Sequence, residues 1–266
     1  MKRKALHILH ILLFLLALTA CVGQKDDPED LDFQEDLQEE GGAESGTRFY
    51  RRILALEFTA TWCQYCPEMQ RSLSEARSLR AGRIVPLAVH QYDEMSPAEA
   101  DLLVERFGVS SFPQMILDAD LSTQFSEPSA GRIAAYVDAA LSVEACGLAA
   151  ESALEDGRLR LSVLVRPMDE APCRVCAVLV EDGLTAFQAG VGEGYENNAV
   201  VRAYLDGGID GLPLPALQDG EARVHFSAPA PDDPSNMRLV VYVLQEGKAV
   251  NALSLGLSDQ KTYRYE

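Results

Sequence analysis

Positive charge is scarce in this sequence: 23 Lys and Arg stand against 41 Asp and Glu in 266 residues, a formal charge of -18. A chain so acidic repels phosphate backbones, which excludes nucleic acid as a partner. Long apolar runs are missing as well. The uninterrupted part of the N-terminal one, Ile11 to Leu18, is eight residues long, whereas a helix needs about 20 to span a bilayer, so no permanent transmembrane anchor is expected. Cysteine is sparse, six residues in all, which rules out a small disulfide knot. Disorder throughout is excluded by 47% hydrophobic and 24% charged residues, close to an ordinary soluble chain. The length suits two domains of usual size.

The N-terminus combines a basic start, Met1-Lys2-Arg3-Lys4, with an apolar run that ends at Ala20, the layout of a secretory signal peptide. Leu18-Thr19-Ala20-Cys21 looks like a bacterial lipobox, in which cleavage precedes the Cys and that Cys carries the lipid. Residues 1–20 are therefore read as a lipoprotein signal peptide, and 21–48 as lipidated Cys21 plus an acidic tether. Val22 to Gly46 holds ten acids and one Lys, too much charge for too little apolar surface to fold. Within it, Gln24-Lys25-Asp26-Asp27 resembles the acidic export signal of surface lipoproteins in some Gram-negative bacteria. An anionic membrane repels such a chain, so the expected membrane contact is the lipid itself.

From Arg51 the chain alternates. Ile53 to Phe58 and Ile84 to Val89 read as buried strands, and each is followed by a helix. The first helix carries Met69, Leu73, Ala76 and Leu79 on one face with Pro67 near its start; the second has Leu102, Leu103 and Phe107 and closes at Gly108. A short strand from Gln114 to Leu117, a hairpin partner around Thr123 to Phe125 and a last helix from Ser129 to Val143 complete the order βαβαββα. Past Cys146 the helical period stops. Leu159 to Val165, Val175 to Val180, Arg223 to Phe226 and Leu239 to Leu244 alternate as strands, and an antiparallel, immunoglobulin-like sandwich is expected there. No internal repeat is present.

Thr61-Trp62-Cys63-Gln64-Tyr65-Cys66-Pro67 follows a buried strand and opens a helix, the setting in which a CxxC pair does redox work. The helix end favours a thiolate on Cys63, which makes it the nucleophile, and Cys66 resolves the mixed disulfide. A static disulfide or a zinc site is the bland alternative. The only Trp, Trp62, adjoins the pair and should report its redox state.

On these residues the segment 49–145 resembles a thioredoxin-like domain, and the rest, 146–266, the all-β domain that follows it. The resemblance implies three further roles. Glu57, six residues before Cys63, would relay the proton of Cys66, with its pKa raised by burial. Pro113, in Ser111-Phe112-Pro113-Gln114, would be the cis-proline facing the CxxC, with Phe112 and Trp62 beside the bound client. The Gln64-Tyr65 dipeptide favours neither strong reductants nor strong oxidants, so the direction of electron flow and the electron donor or acceptor are left open. His90, at a strand end, reads as solvated, with help to Cys63 as the alternative.

Cys173-Arg174-Val175-Cys176 repeats the spacing within a strand. Three extended residues span about 10 Å, beyond the roughly 7 Å between Cα atoms that a disulfide tolerates, so a structural disulfide from Cys146 to Cys173 or Cys176 is expected instead. Zinc held by these three and His225 is the weaker alternative, and neither a metal nor a cofactor is expected.

Taken together, lipobox, acidic tether, CxxC domain and β-rich tail resemble the outer-membrane lipoprotein family named for its twenty-eight-kilodalton founding member. Val180 to Leu184, Gln188 and Tyr195 to Arg202 carry the likeness in the tail. That family often has His residues where Asn197 and Ala199 stand here. The expected function is a lipid-anchored thiol-disulfide oxidoreductase at the bacterial outer membrane, facing periplasm or cell surface, with a client protein bearing thiols or a disulfide. The alternative is a non-catalytic binding or adhesion lipoprotein on the same scaffold. A peroxidase is disfavoured by Trp62 beside Cys63.

Overall fold

The computed structural model describes residues 41–266; the expected signal peptide, Cys21, the export-like tetrapeptide and most of the expected tether lie outside the described residues. Strand β1 (Ile53–Thr59) and strand β2 (Ile84–His90) are parallel, and β3 (Gln114–Leu117) runs antiparallel to β1. All seven residues of β1 are buried, because β1 lies between two partners and both of its faces are covered. Helix α1 (Cys66–Leu79) has Pro67 in its first turn, and Met69, Leu73 and Ala76 are buried while Leu79 is exposed. Helix α2 (Ala100–Phe107) ends on left-handed Gly108, φ 60°. Helix α3 (Ala130–Ala140) is capped by the Ser129 hydroxyl, which accepts from the Arg132 N–H.

One expected strand is absent. Leu121–Thr123 forms a short 3-10 turn, and Phe125 contributes a single bridge to Met115. The Asp120 carboxylate accepts from the Ser122 N–H and the Thr123 hydroxyl donates to the Asp120 and Leu117 carbonyls. These local bonds compete with a strand ladder.

The remaining strands are β4 (Gly147–Glu155), β5 (Arg158–Arg166), β6 (Cys173–Glu181), β7 (Leu184–Gln188), β8 (Gly192–Asn197), β9 (Val200–Tyr204), β10 (Leu212–Pro213), β11 (Ala222–Pro229), β12 (Met237–Gln245), β13 (Lys248–Gly256) and β14 (Gln260–Lys261). They do not close into a sandwich of their own. Strands β6, β9, β10, β12 and β13 join β1, β2 and β3 in one eight-stranded sheet, ordered β13-β12-β6-β9-β2-β1-β3 with β10 beside β6. The junction is the parallel pairing of Ala88 with Val200. A second sheet, β11-β5-β4-β14, and the isolated β7-β8 hairpin account for the rest.

The large sheet curls, and its ends are tied together. The Ala249 N–H donates to the Asp118 carbonyl at 2.7 Å, and the Asn251 amide oxygen accepts from the Arg52 N–H at 2.9 Å. Alternation along the strands divides the apolar residues among three cores. Leu54, Leu56 and Phe58 of β1 meet Val178 and Val180 of β6 and Leu103 and Phe107 of α2. Ile53 and Ala55 face α1 and α3. Val175, Ala177, Leu239 and Val241 face the small sheet. Two buried ion pairs brace this frame: Arg51 with Asp118 at 2.9 Å and Arg238 with Asp182 at 2.8 Å.

Candidate active site

The chain turns sharply after β1, and Cys63 sits in that turn rather than in α1, which begins at Cys66. The two sulfurs are bonded, with 5.5 Å between the Cα atoms. Both cysteines are buried, Cys63 at 5% exposure and Cys66 at 2%. Phe112 packs against this pair, and its ring meets Trp62 edge-on at 5.4 Å between centroids. The Phe112–Pro113 bond is cis. The sequence-predicted Cys63, Cys66, Trp62, Phe112 and Pro113 thus converge on one end of the β1-α1 unit. Trp62 is half exposed and its indole N–H donates to the Gln91 carbonyl at 3.0 Å.

Glu57 shares the face of β1 that carries Ile53 and Ala55, the side covered by α1. It is 3% exposed, and its Oε1 has no hydrogen-bond partner. Burial alone pushes its pKa up from 4.5 to about 8, so at neutral pH the carboxyl holds a proton inside the protein. Tyr195 lies close enough for the Glu57 charge to add to the effect of burial in raising its phenol. The Tyr195 hydroxyl donates to Gln70 Oε1 of α1 at 2.7 Å.

His90 is not solvated. It is 1% exposed, and its Nδ1 lies 2.8 Å from Asp93 Oδ2. His90 closes β2 and is shut away from water beside Asp93. Asp93 also accepts from the Thr61 N–H at 2.8 Å and the Met95 N–H at 2.9 Å. Burial opposes its charge, but these bonds and His90 outweigh burial and hold the carboxyl below the usual carboxylate range. Asp93 therefore fixes the residue before Trp62 to the end of β2, a role no motif in the sequence marks.

The second CxxC behaves as strand geometry requires. Cys173 points into the core shared with the small sheet, and Cys176 into the core shared with α2. Cys146 joins Cys173, and after burial the neighbouring Cys173 further raises its thiol. All three are free and buried thiols, so the expected disulfide from Cys146 to Cys173 or Cys176 is not formed here, the cysteines lying in separate apolar cores or unbonded within one. Burial pushes Cys176 up to about 12, so none of these is a ready nucleophile at neutral pH. His225 faces outward on β11 and is exposed, away from the three cysteines.

The missed element is the β7-β8 hairpin. Its tip lies on the CxxC turn: the Ala189 N–H donates to the Thr61 carbonyl at 2.8 Å, and the Gln188 amide donates to the Cys63 carbonyl at 2.8 Å and the Ala60 carbonyl at 3.1 Å. Gln188 was legible as part of a family-like segment, but its partners are 125 and 128 residues away, and no local pattern announces such a contact.

The sequence profile of the Outer membrane protein Omp28 family matches residues 100–257, more than half of the chain. This chain belongs to the Omp28 outer-membrane protein family. No curated protein matches it in sequence. Among solved structures it is similar to HBP35 of Porphyromonas gingivalis, with a TM-score of 0.64 and 18% identity, covering 80% of this chain and 77% of that one. A protein of Agrobacterium tumefaciens has a TM-score of 0.54 and 14% identity, covering 80% of this chain and 97% of that one. Likeness at this identity extends to the fold alone. The Omp28 match begins at α2, so it covers neither the CxxC nor Glu57. Asn197 and Ala199, which stand where the resembled family often has His, are both buried in this Omp28 chain, and the Ala199 N–H donates to Asp182.

Proposed function

We propose that this outer-membrane family member is a lipid-anchored thiol-disulfide oxidoreductase acting on client proteins through Cys63 and Cys66. The observation that carries the reading is the Cys63–Cys66 disulfide, set at the start of α1 and packed against Phe112 before Pro113. A client thiolate attacks Cys63 Sγ, the bond to Cys66 breaks, and Cys66 leaves as a thiolate that Glu57 can protonate. In the reverse direction Cys63 attacks a client disulfide and Cys66 resolves the mixed disulfide, so two electrons move in each cycle. Phe112, Pro113 and Trp62 form the client-facing rim. Cys21 carries the lipid, and the acidic segment after it spaces the folded part from the membrane.

The experiment is a redox titration of the purified chain with dithiothreitol, read by Trp62 fluorescence. A reversible two-electron transition that disappears in Cys63→Ser, with insulin reduction that disappears in the same variant, is the expected result. A pair that never reduces in the folded state overturns the reading. One observation favours the second reading, a binding lipoprotein on a thioredoxin-like scaffold: Cys63 is buried under another part of the chain. In that case Cys63→Ala leaves partner binding intact and no insulin turnover occurs.

A further inference from the structure

A thiolate must approach the sulfur it attacks, yet Cys63 is 5% exposed. The hairpin lies across its turn. Besides the bonds from Ala189 and Gln188, Gly190 sits against Gln64, so closely that a Cβ there would stand 2.9 Å from the Gln64 carbonyl oxygen. Towards its base the same hairpin is held to α1 by the Tyr195 hydroxyl on Gln70 and by the Gln70 amide on the Glu196 carbonyl at 3.4 Å.

The attachment is polar and local. Strands β7 and β8 pair with each other and with no other strand of the described residues, and an isolated two-stranded hairpin is marginal in water. None of the residues from Leu184 to Asn197 belongs to a hydrophobic core, and Phe187 and Val191, on either side of the tip, are exposed at 54% and 59%. An element with few buried apolar contacts opens at lower cost than the sheets behind it, and what fastens its tip is a small set of polar bonds, chiefly the buried ones from Gln188.

We propose that the β7-β8 hairpin is a displaceable cover over Cys63, and that its tip holds the position an extended client segment must occupy before thiol-disulfide exchange. This rests on the oxidoreductase reading. The Thr61 carbonyl, now satisfied by the Ala189 N–H, is released when the tip lifts and accepts a backbone N–H of the incoming chain. The occupant is therefore an extended polypeptide carrying a thiol or disulfide, and the exposed Phe187 and Val191 select for apolar side chains beside that sulfur. Clients that cannot displace the tip are excluded, so the hairpin sets specificity as well as access.

The test measures the rate at which dithiothreitol reduces the Cys63–Cys66 disulfide in the full chain, followed by Trp62 fluorescence and by alkylation of the released thiols. One dithiothreitol thiolate attacks Cys63, Cys66 leaves, and the second thiolate closes the reductant into its cyclic disulfide and frees Cys63. Gln188→Ala removes both side-chain bonds without altering the backbone, and Gly190→Ala forces the tip away from Gln64. Each is expected to accelerate reduction at least tenfold and to speed hydrogen exchange at the Ala189 amide. Wild-type reduction rates in both variants overturn the cover. Faster reduction with no insulin turnover by any form leaves the cover standing and removes the oxidoreductase reading; insulin turnover with unchanged reduction rates does the reverse.

Discussion

Replacing Glu57 by Gln separates a buried neutral acid from a buried charge. In the folded protein burial raises the Glu57 pKa from 4.5 to about 8. Between those values the native state holds one more proton than the unfolded state, so stability falls as pH rises, by about 1.4 kcal/mol per pH step. The stabilisation is fully present below pH 4.5 and is lost as pH climbs to 8, which amounts to about 5 kcal/mol at most. Glu57→Gln keeps the shape and cannot ionise, so it escapes this loss. Urea unfolding of the oxidised wild type and variant at pH 5, 6, 7 and 8 isolates the term, because every other titrating group is common to both. The expected stability difference grows in the variant's favour towards pH 8 and nearly vanishes, up to a constant offset, near pH 4.5. A difference that stays flat across the range would refute the reasoning, since it would mean that Glu57 is charged and paired in the folded state. The same substitution removes the acid proposed to protonate Cys66 as it leaves, so oxidation of client thiols should slow while Cys63 alkylation in the reduced protein does not.

Asp182→Ala leaves Arg238 as an uncompensated buried charge and frees the Ala199 N–H; a loss of about 3–5 kcal/mol is expected in denaturant unfolding. Ser129→Ala removes the hydroxyl cap of α3 and should cost about 1 kcal/mol by the same assay. Gly211→Ala should lower the melting temperature, because Gly211 has φ 68° and a Cβ there would lie 2.5 Å from the Val175 carbonyl oxygen. Peptide mapping without reductant should recover Cys146, Cys173 and Cys176 as unmodified buried thiols, and a Cys173–Cys176 linkage would contradict the opposite faces these residues occupy on β6.

The first half of the fold could be read because its signals are local. The apolar runs of β1 and β2, the stripe of α1, Gly108 at the end of α2 and Ser129 before α3 each act within a few residues, and each element forms where the pattern places it. The hairpin partner near Thr123 shrinks to the single antiparallel bridge of Phe125 with Met115 for an equally local reason, since Asp120 and Thr123 make turn bonds that the apolar pattern does not register. In the second half β5, β6, β11 and β12 were legible as strands, while β4, β9 and β13 were not marked, and the partners of all of them lay outside any local pattern. Alternation in β6 says that its two faces differ; it does not say that one faces α2 and the other the small sheet. His90 misled because a residue at a strand end is usually wet, and here it is buried and paired with Asp93, which also holds the Thr61 N–H before the CxxC.

The amino-acid order alone determined the chemistry available: two thiols three apart before a helix, an acid six residues upstream, an aromatic and a proline to flank them. Such patterns are set by neighbours along the chain, where steric and hydrogen-bonding preferences act directly. Only the tertiary structure decided that β9 joins β2, that β6, β10, β12 and β13 extend the first sheet while β4, β5 and β11 form a second one, and that a hairpin from the tail lies on Cys63. Those pairings are chosen by which surfaces bury one another across more than a hundred residues, and the free energy of that choice belongs to the assembled cores rather than to any segment of sequence.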